Sequence, residues 1–128
     1  MINNFPEQTK PLTEYELKML LPVIVSGLKT KKGIDNAITN SKMCDSLKRL
    51  GYKITAPRMR AIIHHIRVND IIPLLIGTSK GYYISDNEIE LFGYVESLDQ
   101  RINSISFVRN ALRRQFNNKQ NNQTILDL

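Results

Sequence analysis

The sequence predicts a mainly α-helical chain with one small β-hairpin and a long terminal helix, an α+β fold. Three observations predict it. Apolar residues recur at helical spacing in three segments before residue 70. The glycine-bounded stretch Gly77-Thr78-Ser79-Lys80-Gly81 then separates two short strand-like runs. Finally, Leu91, Val95, Leu98, Ile102, Ile105, Leu112 and Phe116 follow spacings of 4, 3, 4, 3, 7 and 4, a heptad seam interrupted at Arg109.

Residues 1–12 are polar, contain Pro6 and Pro11, and are expected to be a flexible lead-in. Residues 13–85 form the domain proper. Thr13-Glu14-Tyr15-Glu16 has the form of a capping box, flanked by Leu12 and Leu17 as a hydrophobic staple. Leu17, Leu21, Ile24 and Leu28 give the first helix its apolar stripe, and Pro22 is expected to kink or split it. Lys31-Lys32-Gly33 ends it, and Ala37-Ile38-Thr39 is a short extended piece. Asn40 and Ser41 are good N-caps for a second helix striped by Met43, Leu47 and Leu50, which Gly51 stops. After the short turn Tyr52-Lys53-Ile54, Thr55 caps a third helix with Pro57 in its first turn and a stripe of Met59, Ile62, Ile63 and Ile66. Leu74-Leu75-Ile76 and Tyr82-Tyr83-Ile84 are the hairpin strands, with Pro73 at the entry of the first. Residues 86–116 are expected to be one helix about 45 Å long. Its acidic residues come first and its arginines last, which suits the helix dipole. The polar stretch 117–123 leads a disordered tail, 117–128.

The chain has 128 residues, which allows one domain and at most an appendage. The single Cys44 permits no internal disulfide. The longest apolar run, Ile71 to Ile76, contains Pro73 and falls well short of the ~20 residues a membrane-spanning helix needs. The first residues carry no basic start or apolar stretch of a secretory signal. A soluble, cytoplasmic protein with no membrane partner is expected.

The net charge of +6 is unevenly placed. Residues 1–40 carry a net +1, residues 41–85 a net +6 and residues 86–128 a net −1. A concentrated positive field attracts polyanions, of which nucleic acid is the usual one inside cells. The plainer alternative is a solvated basic surface.

The order helix, short strand, helix, tight turn, helix, β-hairpin resembles the winged helix-turn-helix family of DNA-binding domains over residues 13–85. Four stretches resemble small winged-helix proteins encoded by phages and mobile elements: Thr39-Asn40-Ser41-Lys42-Met43-Cys44, Gly51 to Arg60, Thr78 to Ile84, and Ser97-Leu98-Asp99-Gln100-Arg101-Ile102. The resemblance implies that the third helix enters the DNA major groove and the hairpin acts as a wing. On a helical wheel, Arg60, Ala61, His64 and His65 lie opposite the Met59 stripe, giving a basic face with Ala61 allowing close approach. Arg58 and Arg60 are expected to meet guanine edges or phosphates. Ser41, Lys42, Lys53 and Thr55, at helix starts and the turn, are placed for phosphate. Lys80 at the hairpin tip is placed for a neighbouring phosphate or the minor groove.

Other chemistries find little footing. His64 and His65 point about 100° apart on a helix, and the positions four residues away are Arg60, Ala61, Val68 and Asn69, so a metal site is not expected. Cys44 lies by an apolar stripe with no oriented base. There is no phosphate loop, GxGxxG or HExxH pattern. No catalytic residue and no cofactor are expected.

The seam residues Leu91, Val95, Leu98, Ile102, Ile105 and Leu112 are expected to hold a homodimer, or else to fold back on the first helix. The end of the chain, Gln123-Thr124-Ile125-Leu126-Asp127-Leu128, resembles the hexapeptide by which bacterial replication proteins bind the sliding clamp, with Gln123, Leu126 and Leu128 matching and Thr124 departing from the usual leucine. The expected function is sequence-specific binding of double-stranded DNA by a dimeric regulator of transcription from a phage or mobile element. Two alternatives stand beside it: a replication accessory recruited to the sliding clamp through the tail, and a protein-interaction adaptor that never touches nucleic acid.

Overall fold

A computed structural model describes residues 5–126, with side chains for 6–121. The chain is mainly helical, with one two-stranded antiparallel sheet and a long C-terminal helix. It divides into two units, Met1–Asn87 and Glu88–Leu128.

The first unit starts with a helix where a flexible lead-in was expected. Helix α1 (Phe5–Thr9) packs on α4 (Ala56–Val68). The capping box forms as predicted: Thr13 N–H donates to Glu16 Oε1 at 2.8 Å, and Glu16 N–H donates to Thr13 Oγ1 at 3.1 Å. Pro22 does not break the helix that follows. Its ring crowds the carbonyl four residues back, and a π turn over Glu16–Leu20 precedes α2 (Leu21–Leu28), so the helical path continues through Pro22. The wider turn moves the inward stripe. The buried positions are Glu16, Leu20, Ile24 and Leu28, while Leu17 is exposed and the staple is incomplete.

Helix α3 (Asn40–Arg49) is capped one residue earlier than expected: Thr39 Oγ1 accepts the N–H of Lys42. Gly51, at φ +91°, ends it in a left-handed conformation that costs glycine little. Thr55 caps α4 as predicted, by accepting the N–H of Arg58. Met43 and Leu47 of α3 meet Leu20, Ile24 and Leu28, and Met59, Ile62, Ile63 and Ile66 of α4 complete the core.

Strands β1 (Leu75–Thr78) and β2 (Gly81–Ile84) pair with Leu75 opposite Ile84 and Thr78 opposite Gly81. Leu74 is not in the strand; its φ is +65° and its side chain is exposed. The far edge of β2 is also occupied. Ile38 and Tyr82 exchange two backbone hydrogen bonds, and Ile84 bonds with Lys31 and Gly33. The extended piece read at Ala37-Ile38-Thr39 is therefore a short third partner of the sheet. Gly81 is needed there: an added Cβ would lie 2.5 Å from the Ile38 carbonyl, and φ is +120°.

The second unit is one helix, α5 (Glu88–Leu126), longer than the predicted 86–116. The Asn/Gln stretch expected to begin a disordered tail continues the helix. No helix among the described residues is long and apolar enough to cross a membrane.

Candidate nucleic-acid interface

The starts of α3 and α4 are tied together. Asn40 Nδ2 donates to the Ala56 carbonyl at 3.1 Å, and its Oδ1 accepts the Cys44 thiol at 3.1 Å. Burial pushes the Cys44 thiol above its ordinary pKa, while the charges of Lys48 and Arg60 oppose that rise and Asp45 adds to it. Gly81 sits against the backbone of Ile38 and Thr39, which brings the hairpin tip to the start of α3 as well. Ser41 and Lys42 on α3, Arg60 on α4 and Lys80 on the hairpin are all exposed.

Arg58 does not belong to that exposed set. It is only 9% exposed. Its Nε donates to Glu16 Oε2 at 2.7 Å and its Nη2 to Glu16 Oε1 at 2.6 Å. The same Nη2 reaches the Pro11 carbonyl at 3.1 Å, and Nη1 donates to the carbonyls of Glu7 and Lys10. All five guanidinium N–H groups are thereby used. Hydrogen bonding from Arg58 holds the Glu16 carboxyl below its ordinary range despite burial, and the same bond holds Arg58 above its own. Arg58 fastens the N-terminal segment to the core. Ala61, expected to allow close approach to a groove, is also buried, at 6% exposure. Both lie on the flank of α4 where the N-terminal segment packs.

The outward face of α4 is narrower than the wheel suggested. It presents Arg60, His64 and Val68, with His65 half-buried at its margin. Arg60 Nη1 donates to Gln8 Oε1 at 3.0 Å, so α1 borders this face. An open groove of about 480 Å³ runs between the two, lined in part by Gln8, Lys10, Arg60, His64, His65 and Val68. Lys53 is exposed, and its N–H donates to the Tyr15 hydroxyl. Thr55 is exposed but its hydroxyl is engaged as the α4 cap. Sequence reasoning misses Gln8 and Lys10, because their segment is polar and holds Pro6 and Pro11, with no apolar stripe to mark it.

The predicted pairing residues lie along α5. Leu91 and Leu98 are half-buried, while Val95, Ile102, Ile105 and Leu112 are exposed. Of the tail peptide, Gln123 and Leu126 fall within the helical backbone; their side chains, and Leu128 altogether, lie outside the described residues. Among the described residues no group of three or more His, Cys, Asp or Glu is placed to hold a metal ion. Comparison of the chain with models of protein families, with curated proteins and with solved structures found no match.

Proposed function

We propose that this chain is a dimeric winged-helix protein that binds double-stranded DNA sequence-specifically and regulates transcription in a phage or mobile element. The observation that carries the reading is the set of exposed cations on α3, α4 and the hairpin tip, together with the ties from the start of α3 to α4 and to Gly81. A helix that enters a major groove needs one apolar face against its own domain and one polar face outward. Helix α4 has both, with Met59, Ile62, Ile63 and Ile66 inward and Arg60 and His64 outward. In this reading Arg60 is the base reader and His64 lies beside it. Ser41, Lys42 and Lys53 meet phosphates, and Lys80 reaches the adjoining backbone or minor groove. Arg58 and Ala61 take no part. Helix α5 joins the two copies.

Selection from random duplex DNA at ~150 mM salt, where non-specific binding is weak, tests it. Recovery of one enriched sequence is the expected result. Arg60→Ala should then weaken binding by about 1–3 kcal/mol. Full affinity in the Arg60→Ala, His64→Ala double variant would overturn the assignment of α4. No enriched sequence, with partner binding indifferent to salt, would favour the adaptor instead.

A further inference from the structure

Helix α5 carries its apolar residues in the open. Val95, Ile102, Ile105, Leu112 and Phe116 are 56%, 62%, 69%, 59% and 60% exposed. They follow the alternating four-and-three spacing of a coiled-coil seam, whose position 109 is taken by arginine. An exposed apolar stripe of this length, broken once by Arg109, is a surface for association.

We infer that this stripe pairs with the same stripe of a second copy of the chain, and that the two α5 helices run antiparallel. The inference rests on the dimer in the proposed function and adds its direction. Charge is what decides the direction. Glu88, Glu90, Glu96 and Asp99 lie in the first part of α5, and Arg101, Arg109, Arg113, Arg114 and Lys119 follow them. A parallel, in-register pair sets no acidic residue beside a basic one across the seam. It also puts Arg109 against the second copy's Arg109 in a seam layer, two cations brought together among apolar groups.

Reversing one helix remedies both. With the two-fold axis at Phe107, Leu98 faces Phe116, Ile102 faces Leu112 and Ile105 faces Arg109. The Arg109 stem then lies along an isoleucine, with its head free to reach the edge. Asp99 and Arg113 both follow a seam residue directly and so border the seam on the same side. In the antiparallel pair Asp99 of one copy adjoins Arg113 of the other, twice by symmetry. In the parallel pair these two positions adjoin Tyr94 and Val108 instead, and the complementarity is lost.

The full-length chain in a Cys44→Ser background provides the test. Its mass in solution is measured first, by sedimentation at tens of micromolar. Ile102→Cys and Leu112→Cys chains, tagged to differ in size, are then oxidised separately and mixed. The antiparallel pair gives a disulfide only in the mixture, between unlike chains. Disulfides between like chains in the separate samples would mean a parallel dimer and overturn the direction while leaving the dimer intact. A dimer that forms no disulfide, or forms all of them, would overturn the register. A monomer would overturn the inference and the dimer together, whereas DNA selection reports on the DNA reading independently. A charge swap gives a second measure. Asp99→Arg or Arg113→Asp alone should weaken the dimer about tenfold, and the two together should restore it. Failure of the double swap to restore the dimer would also count against antiparallel pairing.

Discussion

The two units of this chain treat their apolar side chains in opposite ways. In the first, leucines, isoleucines and methionines from three helices and a hairpin meet in one core, and its buried ion pair has every donor used. In the second, Ile102, Ile105, Leu112 and Phe116 stand exposed on one helix. The first unit holds its helices by tertiary packing, which is where most helical stability in proteins comes from. The second has the apolar spacing of a packing helix on a single element. The contrast separates residues that maintain the fold from residues free to engage something else.

The sharpest way to break the contrast is at the ion pair. Arg58→Met leaves Glu16 charged and buried, and strands the carbonyls of Glu7, Lys10 and Pro11. The first unit should lose about 3–5 kcal/mol in urea unfolding. Replacing both partners, Arg58→Met with Glu16→Met, should recover much of that loss, because no uncompensated charge remains. Next in size is Gly81→Ala, whose new methyl group meets the Ile38 backbone at a φ of +120°. A loss of at least about 2 kcal/mol should appear in the same measurement.

Acid should find the same ion pair. The folded Glu16 carboxyl titrates below its ordinary value of 4.5, first because of the hydrogen bond from Arg58. Its stabilising contribution is complete above the unfolded value and is lost as pH falls through the folded one. Thermal unfolding followed from pH 7 to pH 3 should show that loss in the natural chain and lack it in Glu16→Gln. The smallest effect is the most telling about the second unit. Ile105→Glu should shift the unfolding of the first unit by less than about 0.5 kcal/mol, while the mass in solution falls from dimer to monomer. A large stability loss from that substitution would erase the distinction between the units.

The features legible in the sequence are those written within a few residues of one another. Thr13 and Glu16 cap each other across one turn, Thr55 caps α4, Gly51 ends α3, and the hairpin lies where its glycines stand, although Gly77, Thr78 and Gly81 belong to the strands and the turn itself is only Ser79-Lys80. The alternation of the α5 seam was equally plain. What escaped depends on distant partners. Arg58 meets Glu16 across 42 positions of sequence, and Glu16 had already been given a complete local role in its capping box. A hint was present, since Arg58 lies about 40° from Ile62 around the α4 axis. The N-terminal segment looked unstructured because its order comes from that same arginine binding its carbonyls. The π turn was hidden for another reason: it alters the helical period itself, so a stripe drawn at 3.6 residues per turn chose Leu17 where Glu16 and Leu20 turn inward.

The occupation of both edges of β2 bears on how firmly Lys80 is carried. The amide of Tyr82 donates to Ile38 and that of Ile84 to Lys31, so the strand is fixed to the segment leading into α3 as well as to its own hairpin. Hydrogen exchange at these two amides should be as slow as at the interior of α4, requiring the whole first unit to open. The hairpin tip then shares the stiffness of the helical core. A ligand gripped by the tip and by α4 together would lose little entropy in ordering the protein, and the spacing of those two contacts would act as a fixed gauge for what fits.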